Sequence, residues 1–177
     1  MKARWGFVSN SSSTSFTFLF KGDSFEDLYA MIRKYSCHFE RHEEWGGDIS
    51  WHANAESVIQ SIKDEIIKQP KKKYHFDDIE LMKTENVLKE AKDELEQYQN
   101  YKKENPDYKD SPEDWMPISN EIFRLEDAIK NGLDTACEVE FGDSHGIVGS
   151  VGCAMDHQGR NIQLECKDFI VVARSQH

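Results

Sequence analysis

In Ser15-Phe16-Thr17-Phe18-Leu19-Phe20 a phenylalanine recurs at every second position. This period-two alternation puts Phe16, Phe18 and Phe20 on one face of a strand, with Thr17 and Leu19 on the other. Lys21-Gly22-Asp23 closes the run with turn residues. Ser24 follows as a helix N-cap, with Asp27 at the N3 position where a capping carboxylate sits. Leu28, Met31, Ile32 and Tyr35 then recur at helical spacing, predicting a helix over 24–36.

Downstream, residues 37–53 show no sustained periodicity and are broken by Gly46-Gly47. Asn54 caps a second predicted helix with an apolar stripe of Val58, Ile59, Ile62, Ile66 and Ile67, stopped by Pro70 and Lys71-Lys72-Lys73. The longest predicted element runs from Asp77 to Glu104, where Leu81, Leu88 and Leu95 recur every seven residues. Thr84, Ala91 and Tyr98 follow three positions on, and Asn105-Pro106 ends the helix. A polar connector, DYKDSPEDWMP, leads to a shorter helix over 119–131, with Ile122, Leu125, Ala128 and Ile129 inward and Gly132 at its stop. Beyond Gly132 the chain turns β-rich: CEVEF, GIVGSVGCAM, NIQLEC and FIVVAR are separated by turn residues. These strands are expected to pair with Phe16–Phe20, largely antiparallel.

The expected fold is therefore α+β: a small, mostly antiparallel sheet with two packing helices and an inserted antiparallel helical hairpin. Residues 1–75 and 133–177 form the body, and 76–132 the hairpin.

Charge separates these two parts. The net charge is −11. Residues 76–132 hold sixteen Asp/Glu against eight Lys/Arg, whereas the rest of the chain holds seventeen against fourteen. A field of that sign repels nucleic acid and anionic membranes and favours a basic protein surface. No apolar run approaches the roughly 20 residues that span a bilayer. The start of the chain lacks a signal-peptide h-region, so a cytoplasmic location is expected. Cys37, Cys137, Cys153 and Cys166 form no CxxC pair and read as thiols in a reducing compartment.

Upstream of the strand lies SNSSSTSF, Ser9 to Phe16. Small hydroxyl residues bond locally to backbone, which predicts a tight loop or edge segment laying Gly6-Phe7-Val8 beside the first strand. The run Arg4-x-Gly6-Phe7-Val8-Ser9-Asn10-Ser11-Ser12-Ser13-x-Ser15-Phe16 also resembles an N-terminal signature, GFVSNSSSxSF, of small proteins of large tailed bacteriophages and some bacteria. It covers thirteen of 177 residues, and this chain departs from the commonest pattern at Trp5 and Thr14. The resemblance implies a phage or mobile-element origin. It brings no chemistry with it, and an address, a processing tag or a shared first strand would each explain a portable start.

Two groups raise the question of metal. Cys37-His38 and His42 lie close in sequence, and on a helix His38 and His42 would share one face, with Cys37, Glu43 or His52 as a third ligand for zinc. Their spacing matches no standard finger, and Arg41 would oppose a cation. Asp143-x-His145 resembles the first metal-binding motif of calcineurin-like phosphoesterases, but only 32 residues follow His145 and the later motifs are missing, so it reads as a turn. GIVGSVG lacks the GxGxxG register, and there is no Gly-x-Ser-x-Gly elbow. No cofactor is expected, with zinc as the alternative.

The functional expectation is non-enzymatic: an accessory protein that binds a host or phage protein through its acidic helical arm, as an inhibitor of a defence or nucleic-acid-handling machine. The longer helix is expected to exceed its partner by about fifteen residues, leaving an apolar stripe for a basic protein. Leu88, Leu95 and Tyr98 would carry that contact, beside Glu94, Asp114 and Trp115. The alternative is a metal-dependent hydrolase or zinc-stabilised module using His38/His42 or Asp143/His145.

Overall fold

The structure is a computed structural model that describes residues 13–39, 41–45, 49–68, 79–109, 111–141 and 164–176. The segment GIVGSVGCAM and the Asp143/His145 pair lie outside the described residues, as do Gly6–Ser12 and Cys153.

Strand β1, Ser13–Phe20, runs through the middle of a five-stranded antiparallel sheet. It pairs on one side with β5, Thr135–Phe141, and on the other with β7, Phe169–Gln176. Phe18 stands between Cys137 and Val171 in the register. Short strands β4, Leu81–Lys83, and β6, Leu164–Cys166, occupy the two edges. Edge strands of three residues offer little backbone for unwanted pairing. The expected α+β class and antiparallel pairing to Phe16–Phe20 both hold.

Helix α1, Phe25–Lys34, begins as its sequence dictates. Ser24 Oγ accepts from the Asp27 N–H, and the Asp27 carboxylate accepts from the Ser24 N–H, both at 3.2 Å. These two bonds satisfy two donors that a helix start otherwise leaves open. The preceding turn needs Gly22: its φ is +132°, and an added Cβ would sit 2.6 Å from the Asp27 side chain. Helix α2, Ala55–Lys68, is capped by Asn54, whose Oδ1 accepts from the Ser57 N–H at 2.9 Å. Val58, Ile59 and Ile62 are buried and Ile66 partly so. Ile67 belongs to no core: it is 63 % exposed, one step round the helix from the inward stripe.

Both faces of the sheet are covered. On the first, α1 and α2 pack Leu28, Tyr29, Ile32, Val58, Ile59 and Ile62 against Phe16, Phe18, Phe20, Phe169 and Val171. On the second, Val87, Ala91, Leu125 and Ala128 of the hairpin cover Leu19, Ala136, Ile170 and Val172. Thr17 is also buried on β1, at 5 % exposure. A strand buried on both faces belongs at the centre of its sheet.

Three sequence expectations need correction here. Leu81 is not the first knob of a heptad. It lies in β4 opposite Cys137, and strand alternation sends Leu81 to the first core and Met82 to the second. The seven-residue spacing from Leu81 to Leu88 spans a strand-to-helix junction, so α3 begins only at Thr84 and runs to Glu104. The shorter helix is not short: α4 spans Pro112–Lys130, and half of the polar connector belongs to it. Proline suits the first helical position, where its missing N–H costs nothing. Pro117 lies inside α4 on its exposed side. With 21 and 19 residues the two helices match, so the expected surplus of about fifteen residues does not exist.

The third correction concerns residues 37–53. Cys37 and His38 sit in a one-turn 3-10 helix, Ser36–His38. His42 sits in β2, Arg41–Trp45, which pairs with β3, Ile49–Ala53, as a separate two-stranded ribbon. His38 and His42 therefore do not share a helical face.

Candidate functional site

The hairpin of α3 and α4 is the part of the molecule that combines fixed geometry, charge and exposed apolar surface. Its base is fastened at several points. The Thr84 hydroxyl, fully buried, donates to the Leu133 carbonyl at 2.7 Å, and the Thr84 N–H donates to the Asp134 carbonyl at 3.0 Å. Where α4 stops, the Leu133 N–H reaches the Ala128 carbonyl at 2.9 Å and the Gly132 N–H reaches Ile129 at 3.0 Å. That pair of bonds turns the chain back with Gly132 at φ +72°, the left-handed conformation glycine adopts without strain. The two ends of the hairpin thus meet where they leave the sheet.

Along its length the hairpin is held by apolar contact and by a few ion pairs. Lys92 and Glu126 bridge α3 and α4 at 2.8 Å, both about half exposed, and the Lys92 ammonium holds the Glu126 carboxyl below its usual range. Such a pair fixes orientation more than it stabilises. Arg124 reaches from α4 to Glu165 on β6 at 3.1 Å. At the far end, the Tyr101 and Tyr108 rings meet edge to face with centroids 5.4 Å apart, folding the connecting loop onto α3.

The residues singled out from the sequence fall into two sets. Leu88 is half-buried against the second core, and Leu95 and Tyr98 are half-buried further along α3. Glu94 lies on the same helix and is half-buried too. Trp115 lies in the first turns of α4 and is 36 % exposed; Asp114 precedes it on the same helix. Two residues were missed. Met116 is 45 % exposed and Phe123 71 % exposed. Seven residues apart, they share one side of α4 about 10 Å along its axis. Asn120 and Asp127 are exposed on the same side. The signal for Phe123 was present: a phenyl ring standing outside the inward set Ile122, Leu125, Ala128. Met116 was hidden by reading its segment as a loop. Among the described residues, four of the five large exposed apolar side chains belong to the hairpin.

A second polar group lies where α1 meets the turn between β6 and β7. The Asp168 carboxylate, in the turn between β6 and β7, accepts from both Lys34 Nζ and the Tyr35 hydroxyl at the end of α1. Lys34 holds the Asp168 carboxyl below its usual range, and the bond to Asp168 pushes the Tyr35 hydroxyl above its own. Tyr35 also stacks on Phe169 at 5.7 Å, so the group ties the β6–β7 turn to α1. Cys137 is buried in the first core, and burial pushes its thiol up to about 12, which leaves it unreactive as a nucleophile. Cys37 is an exposed free thiol beside the equally exposed His38. An open depression on α3, lined by Gln99, Lys102 and Lys103, brings together no acid–base pair. Among the residues whose side chains are described, no three His, Cys, Asp or Glu are gathered as metal ligands. No described helix is long and apolar enough to cross a membrane.

Comparison of the chain with protein-family models, with curated proteins and with solved structures gives no match.

Proposed function

We propose that this is a non-enzymatic accessory protein, of phage or mobile-element origin, that acts by binding a basic surface of a host or phage protein through the outer side of its helical hairpin. The observation that carries the reading is the division of the hairpin into two sides. Val87, Ala91, Leu125 and Ala128 are spent on the core, while Trp115, Met116 and Phe123 stand in solvent on an acidic element. Exposed aromatic and thioether side chains on one helix are the anchors of protein interfaces. Surrounding negative charge speeds encounter with a positive partner and repels nucleic acid itself. Occupying a basic surface that would otherwise meet nucleic acid is the route by which such a protein would inhibit a defence or nucleic-acid-handling machine. The N-terminal resemblance supports the origin, and the charge supports the partner's sign.

The test is capture from bacterial host lysate at about 50 and 500 mM salt, with wild-type protein and with a Glu90→Lys/Asp93→Lys/Glu96→Lys variant. These three carboxylates are exposed on α3. The reading expects a basic protein retained by wild type at low salt and lost in both other conditions, since exposed charges are screened over about 8 Å at physiological ionic strength. Capture that ignores both salt and charge reversal would refute it.

A further inference from the structure

Between Met116 and Phe123, on the same side of α4, lie Ser119, half-buried, and Asn120, exposed. Positions i, i+3, i+4 and i+7 of a helix are the four corners of the hole that receives one side chain of a facing helix in knobs-into-holes packing. Met116, Ser119, Asn120 and Phe123 are such a set. Its two ends are large and apolar, at 45 % and 71 % exposure, and its two flanks are short and polar. Tall ends with low flanks make a saddle about 10 Å long on the helix surface. The exposure of Phe123 leaves that saddle open among the described residues.

Charge indicates the kind of helix that fits. Residues 76–132 hold sixteen Asp/Glu against eight Lys/Arg. Asp127 is exposed one turn beyond Phe123 on the same side, and Glu90, Asp93 and Glu96 are exposed along α3. Two cations of the hairpin, Lys92 and Arg124, are engaged in ion pairs with Glu126 and Glu165. Lys130 opposes the acidic excess, but it lies in the last turn of α4, two turns past the hole.

We propose that Met116, Ser119, Asn120 and Phe123 seat an amphipathic helix of a partner protein, which sets a leucine-sized side chain into the hole and carries Lys or Arg on its flanks. The inference rests on the functional reading above and names the form of the partner, a basic helix rather than a basic surface of any shape. Helix-in-groove recognition uses anchors at this spacing. Asn120 supplies a polar group inside the contact, the kind that fixes register at some cost in stability. The carboxylates of α3 stand away from the hole, so they speed encounter, while the four corner residues set the lifetime of the complex.

The experiment uses the full chain and a synthetic peptide of three heptads, with leucine at a and d and lysine and alanine elsewhere. One control peptide scatters the leucines round the helix, and another exchanges lysine for glutamate. Surface plasmon resonance should give a dissociation constant of about 1–10 μM for the first peptide and about tenfold or more weaker binding for both controls. Substitution at exposed Asn120 separates a hole from a merely sticky face. Asn120→Ala keeps the hole open and should bind within about threefold of wild type, whereas Asn120→Trp fills it and should lose about tenfold or more through faster dissociation. A sticky face would gain affinity from the added indole. Glu90→Lys/Asp93→Lys/Glu96→Lys should slow association and leave dissociation near wild type. Thermal melts check that each variant is folded, with Asn120→Arg as a second blocking variant. No binding of the leucine-striped peptide below about 100 μM, equal binding of the scattered control, or undiminished binding by the blocking variants would each overturn the proposal. The functional reading is judged apart, by capture from lysate. Salt-sensitive capture of a basic protein that survives Asn120→Trp would refute the helix in the hole and leave the acidic arm as the binding element.

Discussion

The two faces of the central sheet are built from different materials. The first carries Phe16, Phe18, Phe20 and Phe169, with Phe39 packed against them and Phe18 and Phe169 stacked at 6.2 Å. The second is aliphatic and small: Leu19, Ile170 and Val172 meet Ala91, Ala128 and Ala136. Large rings supply much apolar area each, so two helices of modest length suffice to bury the first face. Alanines supply little area but let helices approach the sheet closely, so the second face depends on fit. The cover of that face is also the element that presents acidic charge and exposed aromatic groups to solvent. In the proposed function, folding and binding share one hairpin, on opposite sides of it.

The largest expected effects come from removing either cover or either filling. Phe18→Asp should unfold the protein, because an unpaired charge in a fully buried site costs several kcal/mol. Unchanged thermal stability would remove Phe18 from the core. Deleting 84–130 and linking Lys83 to Asn131 through Gly/Ser should yield a molten or insoluble chain, since Leu19, Ala136, Ile170 and Val172 lose their cover. A deletion variant with dispersed amide resonances and a cooperative melt would show that the first face folds alone and that the hairpin is an accessory.

An intermediate effect tests closeness of packing. Ala128→Leu should destabilise by about 1–3 kcal/mol in urea melts, because the fully buried alanine has no room for three more carbons. A neutral result would mean that the second face is loosely filled.

The smallest stability effect lies at the α1 capping box on the first side. The hydrogen bond from Ser24, with help from the Asp23 N–H, holds the Asp27 carboxyl below its ordinary value of 3.8. A carboxylate depressed in the folded state contributes stability above its unfolded pKa, and that contribution is lost as pH falls through the lower folded value. The urea midpoint of wild type should therefore exceed that of Asp27→Asn at pH 7, and the gap should close as pH falls below 3.8. A gap that widens on acidification would contradict the cap.

How much of this was legible follows from where each signal lies. Ser24, Asp27 and Asn54 announced their helices because capping needs only a few adjacent residues. The phenylalanine strand announced one core because alternation is local. Burial of Leu19 and Thr17 on the second side was not legible, since it depends on helices some seventy to a hundred residues downstream. Leu81 was misread because a strand residue happened to fall in heptad register with Leu88 and Leu95. The start of α4 was misread because proline signals a break as readily as a first helical turn, and Ser111-Pro112 needed the α3 partner to decide it. Of the exposed apolar residues of α4, Trp115 was singled out from the sequence and Phe123 was not; a residue excluded from an inward stripe draws no notice until the helix around it is fixed.

One hairpin thus has a side that covers the sheet and, in the proposed function, a side that binds. The most direct measurement pairs melting temperature with partner capture for a Met116→Ser/Phe123→Ser variant. Both side chains are exposed, so a melting temperature within about 2 °C of wild type is expected, as for surface substitutions generally, together with loss of the captured basic partner. A large fall in melting temperature, or undiminished capture by a normally folded variant, would contradict it.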